Sequence, residues 1–168
     1  EAHEFFALGA EQIRVLVHPQ SIVHAMVTHR DGGSIAHLGA PDMRHAIGYA
    51  LNWPRRAALP VPALDLAALG SLTFAEPDEA RWPALRLARE AILAGGAAGA
   101  VLNAAKEQAL DDFIAARIRF TDMAPAVEHA LARASAEAGF TQSPANLDEV
   151  LAWDGFARRA AAEWRGAA

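Results

Sequence analysis

The spacing of apolar residues changes character along the chain, from short clusters and alternation near the start to recurrence every three or four positions in the second half. Ile13-Arg14-Val15-Leu16-Val17 is short and rich in β-branched residues, and His18-Pro19-Gln20-Ser21 closes it, which predicts a strand followed by a turn. A second apolar run, Ile22 to Thr28, follows at once. Asp31-Gly32-Gly33 can supply the positive φ angles of a tight turn, so Ser34-Ile35-Ala36-His37-Leu38 is expected to return as a third strand. Pro41 fits the first turn of a helix carrying Met43, Ala46, Ile47 and Ala50, and Asn52-Trp53-Pro54 stops it.

Pro54, Pro60, Pro62, Pro77 and Pro83 then predict an extended connector, because each lacks an amide donor and disfavours helix at the residue before it. Beyond it the pattern is helical throughout. Pro83 opens a helix with Leu85, Ala88 and Ile92, ended by Gly95-Gly96. A longer one, roughly 98 to 117, carries Leu102, Ala105, Ala109 and Phe113 on a stripe widened by Leu110 and Ile114. Thr121 or Asp122 is expected to cap the next, with Pro125 in its first turn and Gly139 after its end. Asn146 caps a last helical region, which Asp154-Gly155 is expected to break into a separate final helix. The fold class predicted is α+β: a small antiparallel strand element, a Pro-rich connector and an all-α bundle of four or five short helices with alanine contacts.

Composition narrows the classes of function. With 53% hydrophobic and 21% charged residues the chain suits a soluble globular protein of one large or two small domains. Fifteen basic against 20 acidic residues, a net charge of −5, offer no broad cationic surface, so neither nucleic acid nor an anionic membrane is an expected partner. No charge-free apolar run is long enough to span a bilayer, and no signal-peptide order is present. The lack of cysteine removes disulfides, thiolate metal sites and thiol nucleophiles, which points to a cytosol-like chain. There is no initial methionine, and Glu4 to Leu8 reads like a helix already in progress, so a fragment is expected.

Six of the seven histidines lie in the first 45 positions. His18, His24, His29 and His37 would sit on adjacent strands, but alternation puts His24 and His29 on opposite faces, and no HExxH-like pair or nearby carboxylate accompanies them. Structural or surface histidines are therefore preferred to a metal-binding module. The turn bracketed by His18 and His24 is open to two readings, a strand end facing a ligand cleft or a hydrogen-bonded turn with one buried histidine. Gly39 to Arg44 enters a helix whose start could face an anion, although Asp42 is explained equally as a dipole partner and Met43 as core. Lys106, the single lysine, falls near the centre of its helix's expected apolar stripe and is read as snorkelling to water.

In order, VLVHPQSIVHAMV (15–27), LGAPDMR (38–44), LDL (64–66), LTF (72–74), LNAA (102–105) and IRFTD (118–122) resemble the 1-deoxy-D-xylulose 5-phosphate reductoisomerase family over nearly the whole chain. The resemblance implies the C-terminal portion of an enzyme with an upstream NADPH-binding Rossmann domain and a catalytic domain holding Mg²⁺ or Mn²⁺. Residues 1–56 would end the catalytic domain, 57–82 form the connector and 83–168 the helical domain. By the same resemblance His24 matches a catalytic histidine that handles substrate by hydrogen bonding. Pro41 and Met43 match a loop near the nicotinamide of the cofactor. Glu1 matches an acid beside, not among, the metal's ligands. The implied reaction converts the sugar phosphate 1-deoxy-D-xylulose 5-phosphate to 2-C-methyl-D-erythritol 4-phosphate on the non-mevalonate route to isoprenoids, in a cytoplasmic homodimer, and this portion alone is expected to be inactive. Lys106, where the family usually has asparagine, and His45, where a smaller residue is common, depart from the pattern. The competing expectation is a stand-alone structural or dimerisation module without catalysis.

Overall fold

Hydrogen bonds across one hairpin organise the strand-bearing part of the computed structural model, which describes residues 1–164. Strands β1 (Val23–Thr28) and β2 (Ser34–Leu38) pair antiparallel, with Thr28 opposite Ser34 at the turn and Val23 opposite Leu38 at the far end. The turn works as its glycines predict: Gly32 takes φ +87°, Gly33 N donates to Asp31 Oδ1 at 2.9 Å, and His29 N donates to Gly33 O at 2.8 Å. Between Val23 and Ala25 the register shifts by a bulge.

The expected strand over Ile13–Val17 does not form. Only Val17 pairs, as an isolated antiparallel bridge to Ala75, with N–H···O bonds of 2.8 and 3.0 Å. Its β-branched residues lack a neighbouring strand along their length, and propensity without a ladder does not make a strand. The Pro-rich stretch is also more than an extended connector. It holds α3 (Leu66–Leu69), capped by Asp65, whose carboxylate accepts from Ala68 N at 3.0 Å. Helix α2 (Arg44–Asn52) starts three residues after Pro41, not on it.

Residues Val15–Pro77 form one compact unit; Glu1–Arg14 and the chain from Asp78 onward form the other. The second contains α1 (Ala2–Phe6), α4 (Ala84–Ala94), α5 (Ala98–Ile114), α6 (Met123–Ser135) and α7 (Leu147–Glu163). Its core is mostly alanine: Ala98, Ala104 and Ala105 of α5, Ala130 and Ala134 of α6 and Ala157 of α7 are fully enclosed. Such small contacts let helix axes approach closely, and the aromatic series Phe140, Trp153 and Phe156 fills the remaining space with edge-to-face contacts.

That close approach overturns the expected stripe of α5. Ala105 and Ala109 are buried as predicted, but Val101 and Ala104 join them while Leu110, Phe113 and Ile114 are exposed. Lys106 therefore stands in solvent, with no apolar stripe to snorkel past. On the buried face Asp112 Oδ1 accepts from Gln108 Nε2 and from the Arg117 guanidinium. At the next helix start Asp122 occupies the N-cap position, yet its carboxylate accepts from Arg119 N and the Arg119 guanidinium instead of the helix amides. Helix α7 is continuous, without the break expected at Asp154-Gly155, because Asp154 is engaged by Arg158 one turn later. Among the described residues no helix is long and apolar enough to cross a membrane.

Two positions should report this packing in equilibrium unfolding of the chain. Asn146 Oδ1 accepts from Glu149 N at 3.0 Å, and the Glu149 carboxylate returns to Asn146 Nδ2 and Ala145 N, so Asn146→Ala should cost about 1 kcal/mol. Gly96 has φ +55°, and a Cβ there would sit 2.4 Å from Phe140 O, so Gly96→Ala should cost more than about 1 kcal/mol.

Candidate functional site

The His18-Pro19-Gln20-Ser21 turn is held by a side-chain clamp onto residues 73–74. His18 Nδ1 donates to Thr73 O at 2.8 Å, and its ring stacks on Phe74 with centroids 4.5 Å apart. Gln20 completes the clamp, its Nε2 donating to Thr73 Oγ1 and its Oε1 accepting from Thr73 N. Of the two readings of this turn the hydrogen-bonded one describes Gln20, whose amide is spent on the clamp, and the Nδ1 of His18, whose Nε2 is buried without a hydrogen bond. Ser21 follows with φ +51°, a left-handed conformation costing a non-glycine residue about 1 kcal/mol, and it redirects the chain into β1.

His24 is placed differently. The bulge at the start of β1 sets both His24 and Ala25 against β2 where one residue would normally stand, and this brings the His24 ring to 5.4 Å from that of His37. Strict alternation along the strand does not foresee this pairing. His24 Nε2 lies 3.2 Å from Gly39 O and 3.3 Å from Ala40 O. Carbonyl oxygens only accept, so Nε2 carries the proton, and in the neutral form of the ring Nδ1 is an acceptor. His24 is thus joined to the start of the loop that carries Pro41 and Met43.

The loop has its own brace. Asp42 Oδ1 accepts from Arg44 N at 2.9 Å, and both carboxylate oxygens receive the Arg44 guanidinium. This is a local turn with a bidentate pair, more specific than the helix-dipole role expected for Asp42. Met43 is 71% exposed and Pro41 is exposed too, so Met43 is not the core residue that one reading expected. Apolar side chains held on a braced loop are free to contact a flat ring.

His29 lies at the hairpin turn, and Glu1 belongs to the other compact unit, exposed at the start of α1. Among the described residues no three His, Asp or Glu side chains are arranged to hold a metal ion. The residues here do not fit a divalent ion by themselves. What sequence reasoning missed is the pair of backbone carbonyls at Gly39 and Ala40, which carry no side-chain signal. The small Gly-Ala pair at a strand end was the available hint.

The Asp42 brace predicts a titration. Hydrogen bonds from the Arg44 side chain, then from its backbone amide, hold the Asp42 carboxyl at about 2, below its ordinary 3.8. Because that value is depressed, the ionised brace contributes fully above the ordinary value and is lost as pH falls through about 2. Carboxyl NMR should show Asp42 still ionised at about pH 3, and Arg44→Gln should return its midpoint towards the ordinary range.

Known proteins share this arrangement of chain. A family model described as the DXP reductoisomerase C-terminal domain matches residues 38–160. The 1-deoxy-D-xylulose 5-phosphate reductoisomerase of Paracoccus denitrificans strain Pd 1222 is 87% identical over 168 residues, 100% of this chain and 43% of that protein. Its namesake from Ruegeria pomeroyi is 59% identical over 95% of this chain and 40% of its own length. Among solved structures, the Zymomonas mobilis reductoisomerase in complex with NADPH aligns with a TM-score of 0.85 at 42% identity, covering 96% of this chain and 41% of that one. A DOX-P reductoisomerase in complex with NADPH, fosmidomycin and magnesium aligns with a TM-score of 0.85 at 38% identity, over 96% and 40%. The chain spans about two-fifths of the length of these relatives. It belongs to the DXP reductoisomerase family, and the part it matches is that family's C-terminal domain together with the segment just before it.

Proposed function

We propose that this chain is the C-terminal portion of an NADPH- and Mg²⁺- or Mn²⁺-dependent reductoisomerase that converts 1-deoxy-D-xylulose 5-phosphate to 2-C-methyl-D-erythritol 4-phosphate in the non-mevalonate route to isoprenoids. The observation that carries the reading is the junction of two family-like strings, in which His24 of the HPQSIVH segment donates to the backbone at the start of the GAPDMR loop. The 87% identity to a named reductoisomerase across the whole chain supports it.

In this reading His24 handles substrate. With Nε2–H committed to the Gly39 and Ala40 carbonyls, its Nδ1 is the atom able to accept a hydrogen bond from a substrate hydroxyl. Pro41 and Met43 offer apolar contact to the nicotinamide of NADPH, which supplies the hydride. The metal's ligands and the phosphate-binding residues belong to the part of the relatives that this chain does not span, and Glu1 lies beside the metal and does not ligate it. The reading divides the chain into the end of a catalytic domain at 1–56, a connector at 57–82 and a helical domain at 83–168. It also carries a cytoplasmic homodimer and no activity for this portion alone.

The test is substrate-dependent NADPH oxidation by the full-length polypeptide, abolished by a chelator and restored by Mg²⁺ or Mn²⁺. His24→Gln should raise KM for the sugar phosphate about tenfold or more, and Met43→Ala should raise KM for NADPH more than KM for the sugar phosphate. A full-length protein that folds but shows no such oxidation would leave the helical unit as a structural module.

A further inference from the structure

The His45 ring packs directly against Gly39, where a Cβ would be crowded. A Cβ built on Gly39 would lie 3.2 Å from His45 Nε2 and 3.5 Å from its Cδ2, tighter than ordinary contact for the nitrogen. Gly39 is buried, its N–H donates to Ile22 O at 3.0 Å, and its carbonyl is one of the two that receive His24 Nε2–H. His45 Nε2 is enclosed and makes no hydrogen bond, so against Gly39 the ring contributes volume. The same ring meets His37 edge-on with centroids 6.1 Å apart, and His37 in turn meets His24. The backbone ties it to the loop as well, with His45 N donating to Asp42 O at 3.2 Å.

We propose that His45 is a positioning residue for His24. By filling the space that glycine leaves at position 39, the ring holds the Gly39 and Ala40 carbonyls in place, and these carbonyls set the tautomer and angle of the His24 imidazole. The role of His24 in substrate handling rests on the function proposed above; the mechanical link from His45 to His24 does not.

The test is a double-mutant cycle in the full-length enzyme with His45→Ser, Gly39→Ala and both together. His45→Ser removes the ring and should lower kcat/KM for the sugar phosphate about fivefold or more, since small displacements of a positioned group are costly. Gly39→Ala forces a methyl group against the ring and should do the same. In the double variant the methyl group refills the space, so its kcat/KM should recover to within about twofold of the parent. Imidazole ¹⁵N shifts should show His24 as the Nε2–H tautomer in the parent, a tautomer mixture in His45→Ser, and a return to one tautomer in the double variant. Losses that simply add, or an unchanged His24 tautomer in His45→Ser, would overturn the proposal. If His45→Ser does not fold, His45→Asn, which keeps part of the volume, should give a partial loss that Gly39→Ala worsens; no loss would overturn it. A parent enzyme inactive on 1-deoxy-D-xylulose 5-phosphate would defeat the functional reading alone, because the tautomer measurement still decides whether His45 positions His24.

Discussion

Close approach through missing side-chain volume is the constraint on which both compact units depend. In the helical unit, alanines at the contact positions of α5, α6 and α7 let the helices pack with almost no exposed surface at the seam. In the strand-bearing unit the same device appears as glycine. A Cβ on Gly48 of α2 would fall 2.5 Å from Leu59 Cδ2, so a bare position 48 lets the Leu59 side chain pack directly on the helix. Gly39 admits the His45 ring in the same way. Larger residues at these places would separate the elements and move whatever they hold.

The close contacts also explain why arginine, so dominant among the basic residues, serves mainly at the surface. Arg86 on α4 reaches Glu90 on its own helix and Glu128 on α6; Arg158 on α7 reaches Asp154 and Glu107 on α5; Arg133 on α6 reaches Glu163 on α7. Helices brought near by small core residues have rims close enough for long side chains to bridge. These solvent-exposed pairs define which helix faces which more than they add stability. The arginine-rich composition thus has a structural use here without any anionic ligand.

At the candidate site the chemistry is divided between side chains and backbone. His18 Nδ1 and the Gln20 amide hold residues 73–74. That clamp anchors one end of the turn, Ser21 redirects the chain, and the bulge then aims His24 at the carbonyls ahead of Pro41. A histidine whose tautomer is set by backbone acceptors is a better-defined hydrogen-bonding group than one in solvent, because one ring nitrogen is already committed. Asp42 and Arg44 then brace the loop from the other side.

The residue pattern alone determined the hairpin, the caps at Asn146 and Gly95, and the helical character of the second half, because each depends on local chemistry: glycine at positive φ, a side-chain acceptor for free amides, and three-to-four spacing. The family resemblance of the HPQSIVH and GAPDMR segments is what made His24, Pro41 and Met43 candidates. Which face of α5 is buried, the loss of the strand at Ile13–Val17 and the order within the proline-rich stretch were settled by tertiary structure, since each depends on what stands opposite. Hydrophobicity ranked Leu110, Phe113 and Ile114 as core, whereas helix proximity selected Val101 and Ala104 beside the expected Ala105 and Ala109. The meeting of His24 with two carbonyls, and of His45 with a glycine, was equally invisible in one dimension. A bulge moves side chains across faces, and backbone acceptors have no letter in the sequence.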